Sequence, residues 1–223
     1  MQVLSTTEEN YLKSIFQLLK EGSEKVGTND IAELTGTKAA SVSDMLKKLA
    51  AKQLLSYQKY QGVSLTEEGA KTALLILRRY RLWEVFLVEK LKFNWDEVAA
   101  IAEELEHVKA PPLVRRLDEY LGFPKFDPHG DPIPDEFGEW SHTPRMILQE
   151  VSPGNAGKVV AVTNSSAAFL KYLDKVGIYI GARIEVVDKV EFDGSLELRV
   201  DGEKTSFLSR EVAANLQVIL HPS

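Results

Sequence analysis

Within the first 65 residues the apolar period changes from three-to-four residues to two, which restricts this segment to a few helices beside a small β-hairpin. Thr6-Thr7-Glu8-Glu9 reads as a capping box, and Tyr11, Leu12, Ile15, Phe16 and Leu19 follow at helical spacing until Gly22. A short second helix is expected from about Asn29 to Thr35. Gly36 breaks the pattern, and a third helix begins near Lys38 with Val42, Met45, Leu46 and Leu49 inward. Two helices joined by a short glycine-containing turn form a helix-turn-helix. Leu55 to Lys59 and Val63 to Leu65 then alternate around Gly62, giving a two-stranded wing, and Thr66-Glu67-Glu68-Gly69 opens another helix.

Helix, helix-turn-helix and wing in this order predict a winged-helix domain whose third helix enters a major groove. The outward face of that helix is small, polar and basic. Lys38, Ser41, Ser43, Asp44, Lys47, Lys48 and, from the wing, Lys59 are the candidate DNA contacts. Serine and aspartate suit base edges, while lysines suit phosphates. The competing reading is a winged helix used for protein contacts, which would favour an apolar outward face. The net charge of −6 does not exclude DNA, because the acidity lies elsewhere. Residues 76–140 carry fourteen acidic against nine basic groups, whereas Asp44 alone opposes the lysines between 38 and 60.

In that acidic middle, Glu103, Glu106 and His107 recur at i, i+3 and i+4 on an expected helix, begun by Asn94 with Glu97 and ended by Pro111-Pro112. Two carboxylates and an imidazole so spaced can share a divalent ion; the alternative is a solvated acidic face. The preceding helix, from Ala70 to about Leu91, and a following one, from about Leu113 to Leu121, carry more apolar surface than a wing can cover. Dimerisation or packing on the C-terminal part would bury it. Gly122 to Pro134 is rich in proline and glycine and reads as a loop. Beyond it, alternating segments near 158–162, 183–187, 196–200 and 217–220, turns at Asp193-Gly194 and Asp201-Gly202, and a short helix over 166–173 predict a small SH3-like β-barrel. The fold class is therefore α+β, with a winged helix over 1–73, a helical metal-binding and dimerisation domain with a Pro-rich linker over 74–140, and the SH3-like domain over 141–223.

Cysteine is absent, which removes disulfides, thiolate metal sites and thiol catalysis, and fits a reducing cytoplasm. No run reaches the apolar length of a membrane span, and residues 1–9 lack the pattern of a secretory signal, so no membrane partner is expected.

Thr7-Glu-Glu-Asn-Tyr-Leu12, Glu103-x-x-Glu106-His107 and Asp127-Pro-His129-Gly-Asp-Pro-Ile-Pro134 occur in one order around these domains. On those motifs the chain resembles the diphtheria-toxin-repressor family of metal-dependent transcriptional regulators over essentially its whole length. Its last part is similar to the SH3-like domain shared with bacterial ferrous-iron transport protein A. The resemblance implies a cytoplasmic homodimer that binds Mn²⁺ or Fe²⁺ and then represses metal-uptake genes at a double-stranded operator. It implies one metal site from Asn10, Glu103, Glu106 and His107, and a second from Glu84, Asp127 and His129. Such oxygen and imidazole sets suit Mn²⁺, which the resemblance favours, or Fe²⁺, and would still take Zn²⁺ or Co²⁺ in vitro.

The chain departs from the family pattern at several of these places. Asn10 stands where manganese-type members have Asp, Lys13 where some have a ligand Glu, and Tyr80 where several have a ligand His. Asp127 replaces a Cys, and the segment Asn164-Ser165-Ser166-Ala167 lacks the carboxylate expected of a barrel ligand. Asp127 and His129 also fit plain turn chemistry. These departures motivate an alternative, a winged-helix transcription factor answering to a non-metal ligand or a protein. A metal-dependent hydrolase has no nucleophile arrangement or phosphate cradle to support it, so no enzyme activity is expected.

Overall fold

The computed structural model describes residues 3–20, 25–58, 62–140, 144–202 and 204–220. Its helices and strands form two compact units, the first of residues 1–80, 105–111 and 134–140, the second of 81–104, 112–133 and 141–223. The helical segment expected as a domain of its own, 74–140, is thus divided between them.

In the first unit, α1 (Thr6–Lys20), α2 (Thr28–Leu34) and α3 (Ala39–Ala51) precede the hairpin of β1 (Leu55–Gln58) and β2 (Gly62–Leu65). Leu12, Ile15, Ile31, Val42, Leu46 and Leu49 are fully buried and form its core, so the apolar stripes of three short helices meet on one another. β1 and β2 pair antiparallel from Leu55↔Leu65 to Gln58↔Gly62, and Val26 extends the pair by exchanging both backbone hydrogen bonds with Val63. This is the winged helix expected from the change of period. Gly22 and Lys59 lie outside the described residues.

α1 begins one residue earlier in register than its sequence suggests. Ser5 and Glu8 make the capping box, with Glu8 N donating to Ser5 Oγ (3.2 Å) and Ser5 N donating to Glu8 Oε2 (2.8 Å). Glu9, assigned to the cap by the sequence, is released for other work.

α4 (Glu67–Glu89) runs on from the wing, followed by α5 (Val98–Leu105) and α6 (Pro111–Tyr120). α5 stops at Leu105, so Glu106 and His107 lie in the turn after it and not on the helix. Arg79 accounts for this: its Nε donates to the Glu106 carbonyl at 2.6 Å, satisfying a chain end that helical hydrogen bonds no longer serve. Pro111 does not end α5 but opens α6, where a missing N–H costs nothing.

The last part of the second unit is a six-stranded antiparallel sheet in the order β3-β8-β4-β5-β6-β7. It comprises β3 (Met146–Ile147), β4 (Ala156–Val162), β5 (Arg183–Lys189), β6 (Leu196–Val200), β7 (Lys204–Leu208) and β8 (Leu216–Leu220), with α7 (Ala167–Val176) and α8 (Arg210–Ala214) between strands. β3, β7 and α8 escape the sequence reading because their residues alternate weakly. The Asp201-Gly202 turn is where expected, both residues at positive φ (52° and 81°), as a tight β6–β7 hairpin requires. Val159, Leu170, Leu173, Ile184, Leu198 and Val218 fill this SH3-like core, while Leu82, Val85, Leu117 and Ile133 form a smaller cluster beneath α4 and α6.

Candidate metal centre

The loop after α6 is shaped by one carboxylate. Asp127 Oδ1 accepts hydrogen bonds from the backbone N–H groups of His129 and Asp131, each at 2.9 Å, and Asp127 N donates to Asp131 O at 2.9 Å. This folds the chain tightly around Gly130, whose φ of +86° suits only glycine and whose missing Cβ would lie 1.8 Å from Val160 O of β4. The turn is fixed from two more sides: Val162 N donates to the His129 carbonyl (3.0 Å), and Arg145 Nη2 donates to that of Gly130 (2.7 Å).

So held, the loop turns His129 toward α4. His129 Nε2 lies 2.9 Å from the carbonyl of Trp95, an acceptor only, so Nε2 carries the proton and donates. The ring is stacked on that tryptophan, centroids 6.0 Å apart. The other ring nitrogen, Nδ1, faces Glu84 Oε1 at 3.5 Å and is the atom that could ligate an ion. A backbone partner on the far nitrogen is how metal-ligating histidines are oriented.

Glu84, Asp127 and His129 are all buried, and a donor atom from each lies within 4.8 Å of the others. Among the described residues no other three such side chains meet so closely. The charges around them leave room for a cation. Three carboxylates, Glu84, Asp127 and Asp131, stand against two guanidinium groups: Arg81 pairs with Asp127 (3.2 Å) and Asp131 (3.1 Å) and also donates to the Pro132 carbonyl, and Arg145 lies near enough to be attracted by both aspartates. Burial pushes the Asp127 carboxyl above the usual range despite Arg81. The donor set, two carboxylates and an imidazole, suits a divalent first-row metal ion. A groove of about 430 Å³, lined in part by Val85, Trp95, Asp127 and Tyr179, reaches this side of the loop.

The other predicted ligand set has its residues on both compact units. Glu103 is exposed and belongs to the second unit, whereas Asn10, Glu106 and His107 belong to the first. Glu106 is fully buried, with both oxygens accepting from Lys13 Nζ (2.8 and 2.9 Å). His107 Nδ1 lies 2.8 Å from Glu9 Oε2. Asn10 Oδ1 is buried and accepts no hydrogen bond among the described residues.

On the winged helix, Lys38, Ser41, Asp44, Lys47 and Lys48 are exposed along one side and the start of α3. Lys47 and Asp44 pair loosely in solvent at 3.1 Å. Ser43 is half-buried and donates to the Ala39 carbonyl at 3.0 Å, so it is less available than its neighbours. Lys59 is outside the described residues.

Sequence reasoning passed over Arg81, Trp95 and Arg79 and gave Glu9 to the helix cap, although the four orient or neutralise the residues singled out as ligands. Arg81 stands three residues before Glu84, one helical turn away, and was the most readable of the four.

The chain matches the family models for the iron dependent repressor N-terminal DNA binding domain over residues 3–63, the iron dependent repressor metal binding and dimerisation domain over 66–135, and the FeoA domain over 146–220. A solved manganese-dependent transcriptional repressor in complex with manganese is 35% identical, with a TM-score of 0.85 over 96% of this chain and 100% of that one. The iron-dependent repressor IdeR of Mycobacterium tuberculosis is 34% identical over 134 residues, 60% of this chain and 58% of that protein. The diphtheria toxin repressor of Corynebacterium diphtheriae is 26% identical over 219 residues, 93% of this chain and 95% of its own.

Proposed function

Since the chain belongs to the iron-dependent repressor family, we propose that it is a transcriptional repressor whose DNA binding is switched by Mn²⁺ or Fe²⁺ at Glu84, Asp127 and His129. The observation that carries this reading is the buried convergence of the three donors, with His129 Nδ1 turned inward by the Trp95 carbonyl. When bound, the ion supplies a divalent positive charge where three carboxylates face two guanidinium groups, Arg81 and Arg145. Glu84 contributes from α4 and Asp127 and His129 from the loop, so the three together join helix to loop. Arg81 holds Asp127 and Asp131 in place in the absence of metal. The metal that serves in the cell is proposed to be manganese, in line with the 35% identical relative.

DNA binding is assigned to α3. Lys38, Lys47 and Lys48, with Lys59 of the wing, supply phosphate contacts; Ser41, Ser43 and Asp44 face the bases. The active form is proposed to be a homodimer on a two-fold operator, supported by the exposed apolar side chains of Leu91, Leu113, Tyr120 and Phe123 around α4 to α6. Target genes are proposed to be those of metal uptake.

The test is operator binding by fluorescence polarisation against free Mn²⁺. The wild type is expected to bind with Mn²⁺ and release in chelator, while Glu84→Gln remains weak in both; metal-independent binding by the wild type would sink the proposal.

A further inference from the structure

We infer that Lys13 fills the place of a cation at Glu106 and His107, so that no divalent metal binds there and the Glu84 centre is the one metal site among the described residues. The statement that there is one site rests on the function proposed above; the statement that Lys13 excludes metal from Glu106 does not.

The Lys13 ammonium lies 2.8 and 2.9 Å from the two oxygens of Glu106, so the carboxylate presents both acceptors to one cation. Lys13 is 6% exposed and Glu106 0%, which keeps water from competing. The same ammonium stands 4.5 Å from the centre of the Tyr80 ring. An aromatic face attracts an ammonium but offers a metal no lone pair. Lys13 and Tyr80 are two of the departures from the family pattern, and here they touch each other, as one substitution made in two places.

His107 is engaged on the other side. Its Nδ1 is 2.8 Å from Glu9 Oε2, and its Nε2 is 3.7 Å from Glu106 Oε1. Arg79 Nη2 reaches Glu9 Oε1 at 2.9 Å, and Lys109 Nζ lies 3.4 Å from that oxygen. Two carboxylates, Glu9 and Glu106, therefore meet three permanent cations, Lys13, Arg79 and Lys109. A divalent ion would enter a cluster that is already positive, the reverse of the balance around Glu84. One atom points the other way: Asn10 Oδ1 is buried and lacks a hydrogen bond among the described residues. It is a neutral carbonyl, and adds no charge to hold an ion against Lys13.

The consequence is a tie from α1 to the segment after α5 that no chelator can remove. Metal control is left to the Glu84 centre.

Metal content distinguishes these statements. Wild type, Glu84→Gln, Glu106→Gln, His107→Ala and Lys13→Glu chains are dialysed against Mn²⁺, and manganese per chain is counted by mass spectrometry, with melting temperature followed with and without Mn²⁺. One Mn²⁺ is expected in the wild type, none in Glu84→Gln, one in each of Glu106→Gln and His107→Ala, and two in Lys13→Glu, whose melting temperature becomes newly dependent on Mn²⁺. His107→Ala stands in should Glu106→Gln fail to fold. Two Mn²⁺ in the wild type, loss of metal from both Glu106→Gln and His107→Ala, or no gain in Lys13→Glu would each overturn the inference. No Mn²⁺ in the wild type with one in Lys13→Glu would overturn the Glu84 centre and the function that rests on it, while upholding the exclusion of metal from Glu106 by Lys13.

Discussion

Single side chains decide where this protein keeps a positive charge. Around Glu84, Asp127 and Asp131 the three carboxylates outnumber Arg81 and Arg145; around Glu9 and Glu106 the lysines and Arg79 exceed the carboxylates. Weakening the orientation of His129 should therefore matter even though its partner, the Trp95 carbonyl, touches no metal. Trp95→Ala, which removes the stacked ring, is expected to lower Mn²⁺ affinity by about 10-fold and His129→Ala by about 100-fold or more, measured calorimetrically. A smaller loss for His129→Ala than for Trp95→Ala would contradict the assignment.

The cap of α1 gives a pH signature of its own. Burial alone would raise the Glu8 carboxyl, but the hydrogen bonds from Lys52 and from Ser5 N outweigh it and hold the group below its ordinary range. A carboxyl depressed in the folded state stabilises it above the unfolded pKa of about 4.3, and that contribution fades as pH falls through the folded value. Glu8→Gln keeps an acceptor for Ser5 N but loses the charge facing Lys52, so it should be less stable than the wild type at pH 7 by about 0.5 kcal/mol, with the difference closing in urea titrations as pH falls through the lowered folded value.

At the scale of elements, the loop of residues 127–131 depends on its fit against β4. Gly130→Ala must move Val160 or leave φ at +86°, so a loss of at least about 2 kcal/mol and weakened Mn²⁺ binding are expected from thermal melts and titration. Wild-type stability in that variant would mean the loop does not pack so closely. α3 makes a different kind of contact. Lys48→Ala should lower operator affinity evenly across sequences and reduce the slope of log affinity against log salt by about 0.9, the share of one phosphate. A change of sequence preference in its place would move Lys48 from phosphate to base.

Elements were also where the sequence was most and least readable. The winged helix declared itself through a change of period and through Gly62, features that local sterics impose. The strands β3 and β7 did not, because Met146-Ile147 is too short for a pattern and Lys204 to Leu208 is mostly polar; both are held by pairing with β8 and β6. The metal residues illustrate the same limit. Glu84, Asp127 and His129 were found by resemblance of motif, but the charge balance that separates them from Glu106 and His107 depends on Lys13, Arg79, Lys109 and Arg81 arriving from distant positions. Lys13 could be read as unable to coordinate; that it takes both oxygens of a glutamate 93 positions away could not.

For the molecule as a whole, metal should stabilise the second compact unit and leave the first largely unchanged. With Mn²⁺ at about 100 times its dissociation constant, about 2.7 kcal/mol is expected. Hydrogen exchange should show new protection in residues 81–89, 125–133 and the neighbouring part of β4. Protection concentrated in α1 and residues 105–111 would instead return the metal to Glu106. Among the described residues no helix is long and apolar enough to cross a membrane.

The hydrogen bond from Val162 to the carbonyl of His129 gives the sheet domain a stake in the threshold of the response. That strand contributes no donor to the three-residue cluster, yet it fixes the backbone of one that does. Variation in the sheet is therefore expected to retune the metal level at which operator binding begins, with neither the reading of the operator nor any ligand altered. The protein has, in that strand, a dial separate from the switch.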